Sequence, residues 1–135
     1  MTFSANVLEM MKEITPRLNA RLCEQYRPYG LTYVQFLVLM EVSRSDGMKL
    51  TDLSDRLGMG KSNLSPLCRR LEDRGFLIRK RDHMDHRIIH LSLTPKSREM
   101  IAAVRSYSDH SSILELSHQE EEAILQALTL LRDKG

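Results

Sequence analysis

The residues of this chain best equipped for chemistry are its cations. Between Lys61 and His90 lie Lys61, Arg69, Arg70, Arg74, Arg79, Lys80, Arg81 and Arg87, opposed by Glu72, Asp73, Asp82 and Asp85. That stretch carries +4, the remainder of the chain −2, and the whole +2. A near-neutral chain that gathers its positive charge in one segment has an electrostatic footprint there, and nucleic acid is the commonest polyanion to match it. A solvated charged face is the plainer alternative. Nucleophilic and metal chemistry find less support. Cys23 and Cys68 are the only thiols, and no phosphate-binding glycine loop, catalytic carboxylate pair or nucleophile elbow occurs, so neither enzymatic activity nor a cofactor is expected. His83, His86 and His90 cluster, with Cys23, His110 and His118 elsewhere. They offer no helical i, i+4 pair and no neighbouring cysteine motif, so no metal site is expected.

Periodicity sorts the cations into two groups. Leu64, Leu67, Cys68 and Leu71 fall at i, i+3, i+4 and i+7, one buried helical face. Lys61, Ser62, Asn63, Ser65, Pro66, Arg69 and Arg70 are left outside. Short Ser and Asn side chains let a helix approach base edges, while arginines reach guanine edges or phosphates. Pro66 is placed early in the helix, where a missing N–H costs least, with its ring free to press on a thymine methyl. The second group is Arg79, Arg81, Asp85 and Arg87, around a loop with few apolar residues. An arginine at such a tip can enter the narrow minor groove, and a carboxylate two positions away can orient it. Asp85 and Arg87 could also merely close the hairpin.

The elements that must hold these groups are legible in outline. Val7, Leu8, Met11, Ile14, Leu18 and Leu22 recur at helical spacing, with Pro16 as an irregularity, up to a break at Arg27-Pro28-Tyr29-Gly30. Thr32 and Gln35 form a capping-box pattern, flanked by Leu31 and Phe36 as a hydrophobic staple, for a helix from Tyr33 to Ser43. Thr51 is the expected N-cap of a short helix through Leu57, with Gly58 as its stop. A turn at Met59-Gly60-Lys61 precedes the helix Ser62 to Arg74, which ends at Gly75. Phe76 to Arg81 and Arg87 to Leu93 read as a β-hairpin around residues 82–86. Thr94-Pro95 opens a further helix. Ser117 with Glu120 caps the last, whose stripe is Ile124, Leu128 and Leu131.

At 135 residues the chain is the size of one domain, able to bury roughly two-thirds of its unfolded surface. Apolar residues make up 41% and aromatics 5% with no Trp, which favours helices packed through Leu, Ile, Val and Met. No basic segment followed by an apolar run occurs near Met1, no run is long enough to span a membrane, and two cysteines make no disulfide framework. A cytoplasmic protein without membrane contact is expected.

A helix, a short turn containing Gly and a second helix make up a helix-turn-helix, and several linked segments carry it further. Leu31-Thr32-Tyr33-Val34-Gln35-Phe36, Leu50-Thr51-Asp52-Leu53 with Leu57-Gly58, the run Leu64 to Leu77, the wing pattern Arg79, Arg81, Asp85, Arg87, and Leu93-Thr94 together resemble the MarR family of winged helix-turn-helix regulators, over about Leu31 to Met100. The expected fold is mainly α with a small β-hairpin wing. The resemblance implies a winged helix-turn-helix over residues 31–95 and a helical dimerisation region formed by residues 1–30 and 96–135. It also implies a homodimer on a palindromic site in double-stranded DNA, with the recognition helix in the major groove and the wing in the minor groove. Repression, modulated by a small-molecule or oxidant effector, is the expected mode. An effector-independent architectural protein and a metal-responsive regulator are the alternatives. His86 departs from the usual wing residue and could make the groove contact slightly pH-sensitive. The peroxide-sensing branch carries its reactive cysteine early in the first helix, so that role does not pass to Cys23, eight positions before Leu31.

Overall fold

The computed structural model describes residues 2–110 and 115–135. Helix α1 spans Phe3–Tyr26, capped by the Thr2 hydroxyl, which accepts from the Ala5 N–H at 3.2 Å. Pro16 lies inside α1 without interrupting it. A 3₁₀ turn at Arg27–Tyr29 ends in Gly30, whose φ of 70° is the left-handed conformation that favours glycine. Helix α2, Tyr33–Arg44, starts at the complete capping box: the Gln35 N–H donates to the Thr32 hydroxyl at 3.2 Å, and the Thr32 N–H to the Gln35 side chain at 3.0 Å. Leu31 and Phe36 are both buried beside it.

Strand β1 is the dipeptide Met48–Lys49, followed at once by α3, Leu50–Leu57, and α4, Lys61–Asp73. Strands β2, Leu77–Arg81, and β3, Ile89–Leu93, form the expected hairpin, and the antiparallel sheet has the order β1-β3-β2. Helices α5, Pro95–His110, and α6, His118–Lys134, complete the chain. Three local expectations need correction. Thr51 is the second residue of α3 rather than its cap; Lys49 holds the cap position without a side-chain bond, because it already belongs to β1. Pro66 is the sixth residue of α4, beyond the first turn, so the Ser62 carbonyl loses its intrahelical partner. The hairpin loop also runs to residue 88, two residues longer than the pattern suggested.

The core lies where α2, α3, α4, α5 and the sheet meet. Phe36, Val38, Leu39 and Val42 of α2 pack with Leu53, Leu64, Cys68, Leu71, Phe76, Leu77, Leu91, Met100 and Ile101, all buried. Each buried side chain of this size contributes about 1.5–3 kcal/mol over leaving it in water. Ser97, the buried polar residue of this region, is satisfied by exchange with Thr94, whose N–H it accepts at 3.0 Å while its own N–H donates to the Thr94 hydroxyl at 3.2 Å. By contrast α1 buries only Tyr26, and α6 buries nothing. Leu8, Met11, Ile14 and Leu18 on α1 and Ile124, Leu125, Leu128 and Leu131 on α6 stand exposed.

Candidate nucleic-acid interface

The buried stripe of α4 holds the helix by Leu64, Cys68 and Leu71, with Leu67 half-buried at the edge of the core. This leaves Lys61, Ser62, Asn63, Pro66, Arg69 and Arg70 exposed and Ser65 half-buried. The turn before it is short because Gly58 adopts a left-handed φ of 63° and ends α3. The far end of α4 is fixed by Arg74. Its guanidinium donates to the Gly30 carbonyl at 2.9 Å and to the Tyr29 carbonyl at 2.8 Å, and it lies over the Phe76 ring.

At the tip of the wing, Asp85 and Arg87 meet in a two-point contact. Arg87 Nε donates to Asp85 Oδ1 and Nη2 to Oδ2, each at 3.0 Å. The Arg87 backbone N–H also donates to Asp85 Oδ1 at 3.0 Å. The contact holds the Asp85 carboxyl below its ordinary range, while the Arg87 side chain stays 90% exposed. It is thus both aimed and open to solvent. Arg81 is exposed and braces the same loop, donating to the His86 carbonyl at 2.7 Å.

Arg79 does not join them. Alternation along β2 puts Arg79 on the same side as buried Leu77 and opposite buried Leu91. Its side chain is only 14% exposed and reaches Glu72 on α4 at 3.5 Å, with Nε buried and unpartnered. The sequence carried a signal for this, because Leu77 and Leu91 mark the inner face. Lys80, one position on, is exposed instead.

Sequence reasoning missed two residues that shape the tip. Asp82 Oδ2 accepts from the Met84 and Asp85 N–H groups at 2.9 and 3.1 Å, an Asx turn that builds the loop. His90 stands between Asp82 and the Gly47 carbonyl, 2.9 Å from each. Asp followed by a short polar loop was a readable sign for the turn; the His90 contact was not readable without the hairpin register. With His90 so engaged, the histidine cluster does not converge, and among the described residues no group of His, Cys, Asp and Glu is arranged to hold a metal. The side chain of His110 lies outside the described residues. Cys68 is fully buried, and burial pushes its thiol up to about 11.

Comparison with known proteins agrees with this geometry. Residues 31–89 match the model of the MarR family. The HTH-type transcriptional regulator SarZ of Staphylococcus epidermidis is 31% identical over 74 residues, 55% of this chain and 50% of SarZ. The chain spans about half the length of the curated relatives it matches. A MarR transcriptional regulator from Methanosarcina mazei Go1 superposes with a TM-score of 0.82 at 24% identity, over 97% of this chain and 96% of that one. The transcriptional repressor CouR, solved bound to a 23-mer DNA duplex, gives 0.77 at 25% identity over 91% and 89%. Over residues 31–89 this chain is similar to the MarR family, and it shares the winged helix-turn-helix fold of these regulators along nearly its whole length.

Proposed function

We propose that this protein is a DNA-binding transcriptional regulator that acts as a homodimer and catalyses no reaction. The observation that carries it is the pairing of two surfaces: an α4 face of Ser62, Asn63, Arg69 and Arg70 suited to a major groove, and Arg87 held out at the wing by Asp85. Lys61, Ser65, Pro66 and Arg81 complete the contact set, and CouR bound to duplex supports the same use of the fold. Two copies joined through the exposed apolar stripes of α1 and α6 would present two such units to a palindromic operator, occupancy of which represses.

The effector site supported best is a half-open cavity of about 400 Å³ between α1, α2, α3 and α5. Leu22, Phe36, Met40 and Leu57 make it largely apolar, and Glu41, Arg44 and Arg105 add charges of both signs, Arg44 lying 3.8 Å from Glu41. A small, mainly apolar molecule fits that lining. Among the described residues no helix is long and apolar enough to cross a membrane, in keeping with a cytoplasmic regulator. The test is a titration of the protein against its own upstream DNA and a scrambled duplex at two salt concentrations. Preference for one site, weakened by salt and by Arg69→Ala, supports regulation; equal binding to every duplex supports an architectural protein instead.

A further inference from the structure

One carboxylate builds the wing tip, and one imidazole holds that carboxylate. While Asp82 Oδ2 fixes the loop amides, Asp82 Oδ1 faces His90 Nε2 at 2.9 Å. On the other side of the ring, Nδ1 lies 2.9 Å from the Gly47 carbonyl oxygen. A carbonyl and an ionised carboxylate can only accept, so both contacts are hydrogen bonds only when each ring nitrogen carries a proton. A neutral imidazole satisfies one and turns a lone pair toward the oxygen of the other.

The charges around the ring are few. Asp82 approaches from the loop, while Lys49 of β1 and Lys80 of β2 sit directly opposite His90 in the sheet register. Burial and the Lys49 charge oppose a proton on the ring, and the hydrogen bonds outweigh them: that to Asp82 first, then that to Gly47, raises the His90 pKa above the ordinary 6.5. Above that raised value the clamp loses one of its two bonds.

We propose that His90 is a positioning residue for Arg87: as an imidazolium it ties Asp82 to the Gly47 turn, which sets the loop from which Asp85 aims Arg87, and loss of one proton releases the tip. The final step, from tip to DNA, rests on the DNA-binding function proposed above. The first steps do not, and can be read in the free protein.

The experiment is a pH titration from 6 to 8.5 of the free protein by NMR, following the His90 ring and the Arg87 Nε–H together. Operator affinity is measured over the same range for the wild type, His90→Gln and Asp82→Asn. The Arg87 signal is expected to move in step with His90 in the wild type and to stay still in Asp82→Asn. Operator affinity is expected to fall about fivefold across the range in the wild type and to change little in His90→Gln. An Arg87 signal indifferent to His90, or a His90→Gln profile parallel to the wild type, overturns the proposal. If no duplex is bound at any pH while Arg87 still follows His90, the DNA-binding function fails and the positioning role stands.

Discussion

Arg87 and Asp85 are joined by two parallel hydrogen bonds of 3.0 Å, yet the arginine remains almost wholly in solvent. An exposed pair of this kind adds little to folding, so its value lies in holding a guanidinium in one orientation. Arg87→Ala is therefore expected to leave thermal stability nearly unchanged and to weaken operator binding by about 1–3 kcal/mol, with the slope of log affinity against log salt reduced by about one. Fluorescence anisotropy at four salt concentrations checks both.

Arg79 is expected to behave in the opposite manner. Turned inward against Glu72 with its Nε unpartnered, it bears a charge in a nearly dry site. Replacing such a group by an apolar one of similar length is close to neutral, so Arg79→Met should change unfolding free energy by no more than about 1 kcal/mol in either direction. Operator affinity should stay within about twofold, since no contact with DNA is removed. A loss as large as that of Arg87→Ala would place Arg79 on the DNA after all.

Leu18 on α1 and Leu128 on α6 test the dimer. Both stand exposed in the single chain, where a carboxylate would be harmless, and both would be buried in an assembly, where each leucine contributes about 1.5–3 kcal/mol. The double variant Leu18→Glu, Leu128→Glu is expected to sediment as a folded monomer and to lose operator affinity. Unchanged sedimentation would show that these stripes are not the interface.

The two cysteines should separate cleanly under alkylation. The Cys68 thiol is buried and pushed up to about 11, so it is protonated at neutral pH and inert. Cys23 is half-buried near the end of α1, its Sγ 3.1 Å from the Ala20 carbonyl. Iodoacetamide on the folded protein is expected to modify Cys23 and not Cys68, as mass spectrometry of the peptides would show. Cys68→Ser should destabilise by about 1–3 kcal/mol, by leaving a hydroxyl in an apolar site.

Stability around the wing should depend on pH with a definite sign. Asp82 is held below its ordinary 3.8, first by the His90 hydrogen bond and then by the Met84 and Asp85 amides. Its contribution is full above 3.8 and fades as pH falls through the lowered value. His90 is raised above 6.5, so its contribution is full below 6.5 and fades as pH rises through the raised value. The pair therefore stabilises most between roughly pH 4 and 6.5. The difference in melting temperature between wild type and His90→Gln is expected to be larger at pH 5.5 than at pH 8.5, by differential scanning calorimetry.

What the sequence made legible were the features that depend on near neighbours. The Thr32–Gln35 box, the glycine stops at Gly58 and Gly75 and the buried stripe of α4 each follow from spacings of three or four residues, and all appear in the fold. What stayed hidden depends on pairing across the chain. Strand β1 has only two residues and hence no period of its own; it exists because Met48 and Lys49 meet Leu91 and His90. Its presence displaces the cap of α3 from Thr51 to Lys49. Arg79 looked like its neighbours Lys80 and Arg81 because composition does not distinguish the two faces of a strand. The His90 clamp joins Gly47 and Asp82 from opposite sides of the sheet, 43 and 8 residues away, and only the register reveals it.

The Arg74 bonds to Gly30 and Tyr29 have a mechanical consequence. A single side chain at the end of α4 grips the turn that closes α1, and a Cβ added to Gly30 would meet the Arg74 Nη2 at 2.8 Å. The two helices are thereby keyed together like a shaft and its collar, at a point outside the core. Gly30→Ala would strain the turn, whose φ is +70°, and crowd the Arg74 guanidinium out of that key.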